Sequence, residues 1–225
     1  MARKKYALTN SYFKNRGYDM PGTILEIAKY REETGELPFE YNGDNWVYDA
    51  FCERQKRAGV YNSQYLTPDA TADRIMHFAG KYFKGNDILE PCCGTGQITK
   101  EILKDSYNLA AFDFDYDMVE LCKILYPGVN ITHSHFNEVS GTHNHIIANP
   151  PYEIPALTEF LTWILSVQES GGISILLIPK FFIDKERPKA LVETLRQFNV
   201  LEREDMREPF LRTGVRAEIV VIQKK

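Results

Sequence analysis

The residues best suited to chemistry in this chain are Asn149-Pro150-Pro151-Tyr152. They follow the apolar run 145–148, which is typical of a buried parallel strand. The two prolines lack backbone donors and fix φ, so the strand stops there and its end stays rigid. An amide oxygen and a backbone carbonyl can both accept hydrogen bonds from one NH2 group, while the tyrosine offers a ring face.

The tetrapeptide therefore predicts a site for a planar group that carries an exocyclic amine. Open α/β sheets bind their ligands at the carboxyl ends of strands, which is where these residues would lie. Taken alone, Asn149-Pro150-Pro151 also fits an ordinary turn, so the prediction depends on what lies upstream.

A second candidate site is the loop 90–96, with the sequence Glu-Pro-Cys-Cys-Gly-Thr-Gly. Gly94 and Gly96 permit positive φ and a close approach of ligand to backbone. The loop lacks both the GxxxxGK[ST] pattern and the third glycine of a dinucleotide fingerprint, so we do not expect a phosphate ligand. Asp113, at the end of the next predicted strand, is placed to bind ribose hydroxyls. An adenosine with an amino-acid tail and no phosphates, as in S-adenosylmethionine, fits both features.

Apolar runs and helical periodicities alternate along the rest of the chain. This alternation predicts an α/β fold with a Rossmann-like, seven-stranded, mostly parallel sheet and helices on both faces. The predicted strands are 87–90, 108–113, 130–132, 145–148 and 173–178, closed by an antiparallel pair at 200–201 and 217–222. The predicted helices are 97–105, 118–126, 157–167 and 188–198.

We expect two domains. Residues 1–60 would form an arm and a small helical extension, with helices near 22–33 and 46–57, and residues 61–225 the catalytic domain. A further helix is predicted to start with Thr67 as N-cap and Pro68 as its first residue. The N–H groups at its start would suit a carboxylate.

Composition is that of a globular protein, with 225 residues of which 44% are hydrophobic and 26% charged. No run approaches the roughly 18 apolar residues of a membrane span, and Met1–Lys5 lacks the apolar stretch of a signal peptide. The four cysteines follow neither a disulfide nor a zinc pattern. We therefore expect a cytoplasmic protein with no membrane contact. The net charge of −4 argues against a broad polyanion-binding surface but not against a local one.

Four motifs, in this order, resemble those of the N6-adenine-specific DNA methyltransferases. Residues 65–68 (Tyr-Leu-Thr-Pro) are similar to the family's N-terminal motif, and 88–96 to its glycine loop. Residues 112–115 (Phe-Asp-Phe-Asp) are similar to its acidic turn, and 149–152 to its catalytic tetrapeptide. The resemblance covers roughly residues 61–180. It implies the class I methyltransferase fold, S-adenosylmethionine as cofactor and S-adenosylhomocysteine as product.

The resemblance also implies roles for individual residues. Asn149 and Pro150 would accept hydrogen bonds from the target amine, with Pro151 stiffening the turn, and Tyr152 would stack on the target base. Phe210 would back that base, although it also fits an ordinary loop aromatic. The implied cofactor-binding residues are Tyr65, Thr67, Pro68, Glu90, Pro91, Cys92, Gly94, Gly96, Asp113, Phe114 and Phe136.

The chain departs from the family pattern after the third strand. Relatives have an Asp-Phe pair there, whereas this chain has His135-Phe136. Phe136 can still pack on the cofactor adenine, and Asn137 would have to replace the acid. The pairs His133/His135 and His143/His145 could in principle bind a metal, but the sequence supplies no further ligands, so we expect none.

Three substrates remain open: adenine in DNA, adenine in structured RNA, and a protein glutamine amide, since Asn-Pro-Pro-Tyr also serves enzymes of that last kind. A catalytically silent partner of a methylase complex is a fourth reading. Nearly all residues after Tyr152 are expected to complete the sheet. Specificity would then come from residues 1–60, from the loops 180–188 and 204–215, or from a separate specificity subunit or a homodimer.

Overall fold

The structure is a computed structural model, and it describes residues 30, 33–35, 65–180, 182, 188–206, 210 and 215–225. The chain divides into two compact units, residues 1–62 with 120–128 and residues 63–119 with 129–225. The second unit contains the strands and the candidate site. The helices predicted at 22–33 and 46–57 lie almost entirely outside the described residues, and the domain boundary near residue 60 stays a prediction.

Helices and strands alternate through the described residues. The helices are α1 (Asp69–Tyr82), α2 (Gln97–Ile102), α3 (Tyr116–Leu125), α4 (Ile154–Val167) and α5 (Lys189–Leu195), with a short 3-10 helix at Phe136–Glu138. The strands are β1 (Asp87–Pro91), β2 (Asn108–Asp113), β3 (Asn130–His133), β4 (His145–Ala148), β5 (Ile173–Pro179), β6 (Phe198–Met206) and β7 (Ala217–Lys224). None of these helices has both the length and the apolar character needed to cross a membrane.

Within the described residues the seven strands form one sheet, in the order β3-β2-β1-β4-β5-β7-β6. The first five strands are parallel, β7 runs antiparallel to β5, and β6 runs antiparallel to β7. The chain moves outward from β1 through β2 to β3 and then returns to place β4 beside β1. The predicted seven-stranded, mostly parallel sheet is confirmed.

The sheet is covered on both faces, which explains why its central strands are apolar throughout rather than alternating. Ile88 and Ile147 point to the face covered by α1 and α2. Their neighbours Leu89 and Ile146 point to the opposite face, which α4 and α5 cover. Each central strand thus contributes side chains to two hydrophobic layers, and the predicted placement of helices on both faces is confirmed.

Several predicted boundaries were wrong; α3 and α4, for example, begin at Tyr116 and Ile154 rather than at residues 118 and 157. Helix α2 ends at Ile102 rather than at residue 105, and α5 ends at Leu195. Phe198 instead begins β6, because its backbone pairs with Lys224 at the end of β7. The N-cap of α1 is Pro68, with φ −64° and ψ 151° and no side-chain cap, so the helix starts one residue later than predicted.

Strand β4 carries the candidate site at its end, and Ile147 in its middle is completely buried. We expect Ile147→Ala to lower the free energy of unfolding by about 2–5 kcal/mol, because it leaves a cavity between sheet and helices. Chemical denaturation measures this loss. The matched control is Val200→Ala on the edge strand β6, where the side chain is 44% exposed and the expected change is within about 0.5 kcal/mol. Equal losses in the two variants would contradict the assigned core.

Candidate active site

The loops that follow β1, β2 and β4 lie at one edge of the sheet. Strand β1 pairs in parallel with both neighbours, Leu89 opposite Ile146 and Pro91 opposite Phe112. Their carboxyl ends therefore meet, and the glycine loop, Asp113 and Asn149 are brought together. The strand order also reverses between β1 and β4, and open α/β sheets bind ligands in the crevice at such a point.

The glycine loop after β1 has an unusual backbone. Cys92, Gly94 and Gly96 have φ of 72°, 55° and 82°, all in the left-handed region. For Cys92 this conformation costs roughly 1–2 kcal/mol, which the surrounding structure has to offset. A Cβ placed on Gly94 would meet no atom within 4 Å. This side of the loop therefore faces open space, as a ligand that approaches the backbone requires.

The carboxylate of Asp113 ties this loop to the turn after β2. Its Oδ2 accepts a hydrogen bond from Gly94 N at 2.8 Å, and its Oδ1 accepts one from Asp115 N at 2.8 Å. The side chain is buried. Because each carboxylate oxygen can accept two hydrogen bonds, these contacts are compatible with the predicted ribose hydroxyls as further partners.

Glu90, near the end of β1, is a buried carboxyl group. Thr99 Oγ1 in α2 donates to its Oε2 at 2.6 Å. Burial raises the pKa of Glu90 to about 8; the nearby Asp113 acts in the same direction and the Thr99 hydrogen bonds oppose it. The folded protein therefore keeps this carboxyl protonated at neutral pH. A cation bound close to it would favour the ionised form.

The ends of β2 and β3 present aromatic rings to the same edge. Phe114 is 47% exposed, whereas Phe136 is only 5% exposed and packs in the core against Phe160 and Trp163, with ring centroids 5.1 and 5.6 Å away. The His135 ring lies 4.2 Å from Phe136 and 6.3 Å from Phe114. His135 thus supplies ring surface between the two phenylalanines, which the sequence prediction did not assign to it.

The side-chain amide of Asn149 is held in one orientation. Its Nδ2 donates to the backbone carbonyl of Tyr65 at 2.6 Å and to Thr67 Oγ1 at 3.2 Å. A carbonyl only accepts, so the NH2 side of the amide must face Tyr65. The amide oxygen Oδ1 is buried and has no hydrogen-bond partner among the described residues. A buried acceptor left unpaired is costly, so this oxygen is suited to a donor that the free protein does not supply.

Three aromatic rings from separate parts of the chain meet beside Asn149. Tyr65 lies 5.2 Å from Tyr152 and 5.1 Å from Phe210, and the Tyr152 and Phe210 centroids are 5.8 Å apart in an edge-on arrangement. Tyr152 OH donates to Leu177 O at 3.2 Å. Burial raises the pKa of Tyr152 well above its usual value, and Tyr65 adds to this, so the hydroxyl keeps its proton.

This cluster bears on the predicted binding of the target base, which would stack on Tyr152 and be backed by Phe210. A base stacked between two rings needs about 7 Å between them, twice the contact distance of carbon atoms. The 5.8 Å between Tyr152 and Phe210 is too short. The structure therefore places Phe210 beside Tyr152, with no room for a base between the two rings.

The two histidine pairs lie at opposite edges of the sheet. His133 ends β3 at the carboxyl edge, whereas His145 begins β4 at the amino edge. They cannot share one metal ion. Among the described residues no group of three or more His, Cys, Asp or Glu side chains could hold one.

Asn137, which would have to replace the family's acid, donates through its Nδ2 to Glu159 at 3.1 Å.

No protein-family model matches the chain. Among curated proteins, the modification methylase CviBIII of Paramecium bursaria Chlorella virus NC1A is 27% identical over 110 residues, which are 45% of this chain and 28% of that protein. The chain thus spans little more than a quarter of its length. The match confirms the predicted resemblance to a methylase.

Several solved structures share the architecture. They include lmo1582 from Listeria monocytogenes, a candidate class I S-adenosylmethionine-dependent methyltransferase (TM-score 0.59, 15% identity, 90% of this chain and 68% of that one). Magnesium protoporphyrin IX methyltransferase from Synechocystis PCC 6803, with bound S-adenosylmethionine, has a TM-score of 0.56 and 15% identity, over 88% of this chain and 95% of that one. The candidate RNA methyltransferase PH1948 from Pyrococcus horikoshii has a TM-score of 0.56 and 16% identity, over 72% of this chain and 87% of that one.

The chain has the class I methyltransferase fold. The cofactor predicted from the sequence is the one that the Listeria protein is described as using and that the Synechocystis structure contains.

Sequence reasoning missed Thr99 as the partner of Glu90. A signal was present, because Thr99 lies three residues before the buried Ile102 and so shares the inward face of α2. A buried carboxyl at the end of β1 needs a donor, and this hydroxyl is the first one that the helix brings back to the strand.

The raised pKa of Glu90 predicts a pH-dependent stability. Between the ordinary value of 4.5 and about 8 the folded state keeps the proton that the unfolded state loses. Stability therefore falls as pH rises through this window, by at most about 1.4 kcal/mol per pH unit, and levels off above pH 8. Glu90→Gln should remove the slope, measured as the free energy of unfolding from pH 5 to 8.5.

The control for this experiment is Glu138→Gln. The pKa of Glu138 is lowered, chiefly by the backbone hydrogen bond from His135, so its contribution is lost only as pH falls below this window. The slope between pH 5 and 8 should therefore match that of the unmodified protein. If Glu90→Gln also retains the slope, Glu90 does not hold its proton in the folded state.

Proposed function

We propose that this chain transfers a methyl group from S-adenosylmethionine to the exocyclic N6 amine of adenine in DNA. The observation that carries the proposal is the buried, unpaired Oδ1 of Asn149, fixed in direction because both amide protons are donated elsewhere. An acceptor at the carboxyl edge beside a strained glycine loop is suited to an incoming NH2 group. An alcohol or thiol would supply one proton, whereas an amine supplies two.

The residues at this edge fit the cofactor chemically. The open side of Gly94 leaves room for a ligand against the backbone. The Asp113 carboxylate can accept ribose hydroxyls, and the exposed Phe114 ring can cover an adenine. The start of α1 after Pro68 would receive the carboxylate of the amino-acid tail. Glu90 would bind the positively charged group of the cofactor's amino-acid tail, and its carboxyl would lose its proton as that cation binds. When bound, the cofactor supplies a methyl group on a sulfonium, and its transfer leaves the neutral thioether.

The protein residues orient the target amine. Asn149 Oδ1 and the Pro150 carbonyl would each accept one of its protons, which keeps the nitrogen lone pair out of conjugation with the ring and directed at the methyl group. Proline at 150 and 151 leaves no backbone N–H nearby to compete for these acceptors. Such preorganised positioning supplies much of the rate in a group transfer.

The substrate base would enter between Tyr152 and Phe210, so the ring cluster has to open. In duplex DNA the adenine would also have to leave its stack, because the N6 amine cannot otherwise reach a recessed site. Stacking against aromatic rings offsets part of that cost, at about 1–3 kcal/mol per base.

RNA is the second candidate substrate. The likeness to the candidate RNA methyltransferase PH1948 supports it at the level of the fold. The amine-accepting geometry of Asn149 serves adenine in either nucleic acid, and it also serves a glutamine amide.

One assay separates these substrates. The purified chain is incubated with tritiated S-adenosylmethionine and, in parallel, with duplex DNA, total RNA and cell protein, and the modified residue is identified by mass spectrometry. We expect N6-methyladenine in DNA. Label in RNA adenine alone would move the proposal to RNA, and label in glutamine without adenine would overturn it.

Asn149→Ala should lower kcat by about 10²–10³ while the dissociation constant of S-adenosylhomocysteine, measured by calorimetry, stays within about twofold. The reason is that the amide acts on the target amine rather than on the cofactor. Asn144→Ala is the matched control, an exposed amide before β4 at the opposite edge whose Nδ2 contacts Glu169. Simultaneous loss of cofactor binding in Asn149→Ala would mean that its role is misassigned.

Asp113→Asn should have the opposite pattern. It removes the charge that would meet the ribose hydroxyls, and a hydrogen bond to a charged group is worth about 1.5–3 kcal/mol. We expect roughly 10- to 100-fold weaker binding of S-adenosylhomocysteine. Unchanged affinity with a reduced melting temperature would show that Asp113 only holds the loop at Gly94.

A further inference from the structure

A primary amide has two distinguishable ends, and a rotation of 180° exchanges them. If the amide of Asn149 rotated, its NH2 group would point where the oxygen now lies, and the site would repel an incoming amine. The orientation is therefore part of the proposed chemistry. It has to be enforced by neighbouring groups, because the amide itself has only a weak preference.

The Tyr65 carbonyl enforces it because a carbonyl only accepts, and the Thr67 hydroxyl, which can accept or donate, holds the second amide proton; both groups belong to the segment that leads into α1. The Tyr65 carbonyl and the Thr67 hydroxyl accept the two Nδ2 protons, at 2.6 and 3.2 Å, across more than 80 residues of sequence. The carbonyl belongs to the backbone and cannot be removed by substitution. The hydroxyl can, and it is 5% exposed, so water does not readily replace it.

The hydroxyl of Thr67 has no role as a helix cap. The N-cap of α1 is Pro68, and no side chain caps the helix. The hydrogen bond with Asn149 is therefore the one contact of this hydroxyl that the described residues show.

From this geometry we infer that Thr67 is a positioning residue, which together with the Tyr65 carbonyl holds the amide of Asn149 with its oxygen toward the substrate amine. The inference rests on the proposed function for its consequence in catalysis, but the orientation itself does not. It is a role beside the cofactor binding that the sequence resemblance implies for this residue.

The test uses Thr67→Val, which keeps the shape and removes the acceptor, and Thr67→Ser, which restores it. Thr71→Val is the matched control, another buried threonine at the start of α1. With the substrate that the unmodified protein methylates, we expect Thr67→Val to lower kcat about tenfold. The affinity for S-adenosylhomocysteine should be unchanged, and Thr67→Ser and Thr71→Val should be close to the unmodified protein.

A second readout needs no activity. The two side-chain Nδ2 protons of Asn149 give a pair of NMR signals, assigned by their loss in Asn149→Asp. In Thr67→Val one of the two should shift upfield and exchange faster with solvent, and in Thr67→Ser it should return. If Thr67→Val does not fold, as judged by its melting transition, Thr67→Ala takes its place.

The outcomes separate the two proposals. Weaker cofactor binding with unchanged kcat in Thr67→Val would overturn the inference and return Thr67 to the cofactor. Unchanged Asn149 amide signals, or a loss of kcat equal to that of Thr71→Val, would also overturn it. If the unmodified protein methylates nothing, the proposed function fails, while the NMR signals still decide whether Thr67 orients the amide.

Discussion

The hydrogen bond from Asn149 Nδ2 to the Tyr65 carbonyl is the contact on which the candidate site depends. It joins the end of the central strand β4 to the segment before α1, two parts of the chain far apart in sequence. Without it the amide of Asn149 would have no fixed direction, and its oxygen would be an ordinary polar atom that turns to find a donor. With it, a buried acceptor remains unpaired at a defined place. Such atoms are few in folded proteins; among the described residues the others are Gln168 Oε1 and Ser174 Oγ, and Asn149 Oδ1 is the one at the carboxyl edge of the sheet.

A second constraint acts on the other side of the crevice. Asp113 accepts from the backbone of the glycine loop and from its own turn, so one carboxylate fixes two loops that leave neighbouring strands. This contact helps to offset the left-handed conformation of Cys92. The buried Glu90 with its Thr99 partner lies directly before the same loop. The side of the crevice at the glycine loop is thus organised by carboxyl groups, and the side at β4 by an amide and aromatic rings.

The sequence predicted the sheet well because its strands are short apolar runs, and burial on both faces permits little else. It also brought Asn149, Asp113 and the glycine loop to one edge, since parallel strands end together. It failed where a tertiary contact competes with a local rule. Thr67 has the residue type of an N-cap, but its hydroxyl accepts a hydrogen bond from Asn149. Phe198 continues a helical pattern, but it lies in a strand because its backbone pairs with β7. Neither partner is close in sequence, so no local signal could reveal them.

The aromatic cluster shows how the crevice can be closed and yet keep its polar geometry. Tyr65 contributes to both, since its carbonyl holds the Asn149 amide while its ring lies against Tyr152 and Phe210. Rotation about the side-chain torsions of Tyr65 moves the ring and leaves the carbonyl where it is. Phe210 makes no hydrogen bond through its side chain, so its withdrawal costs only apolar contacts. A movement of the two rings would therefore leave in place the hydrogen bond that fixes the amide.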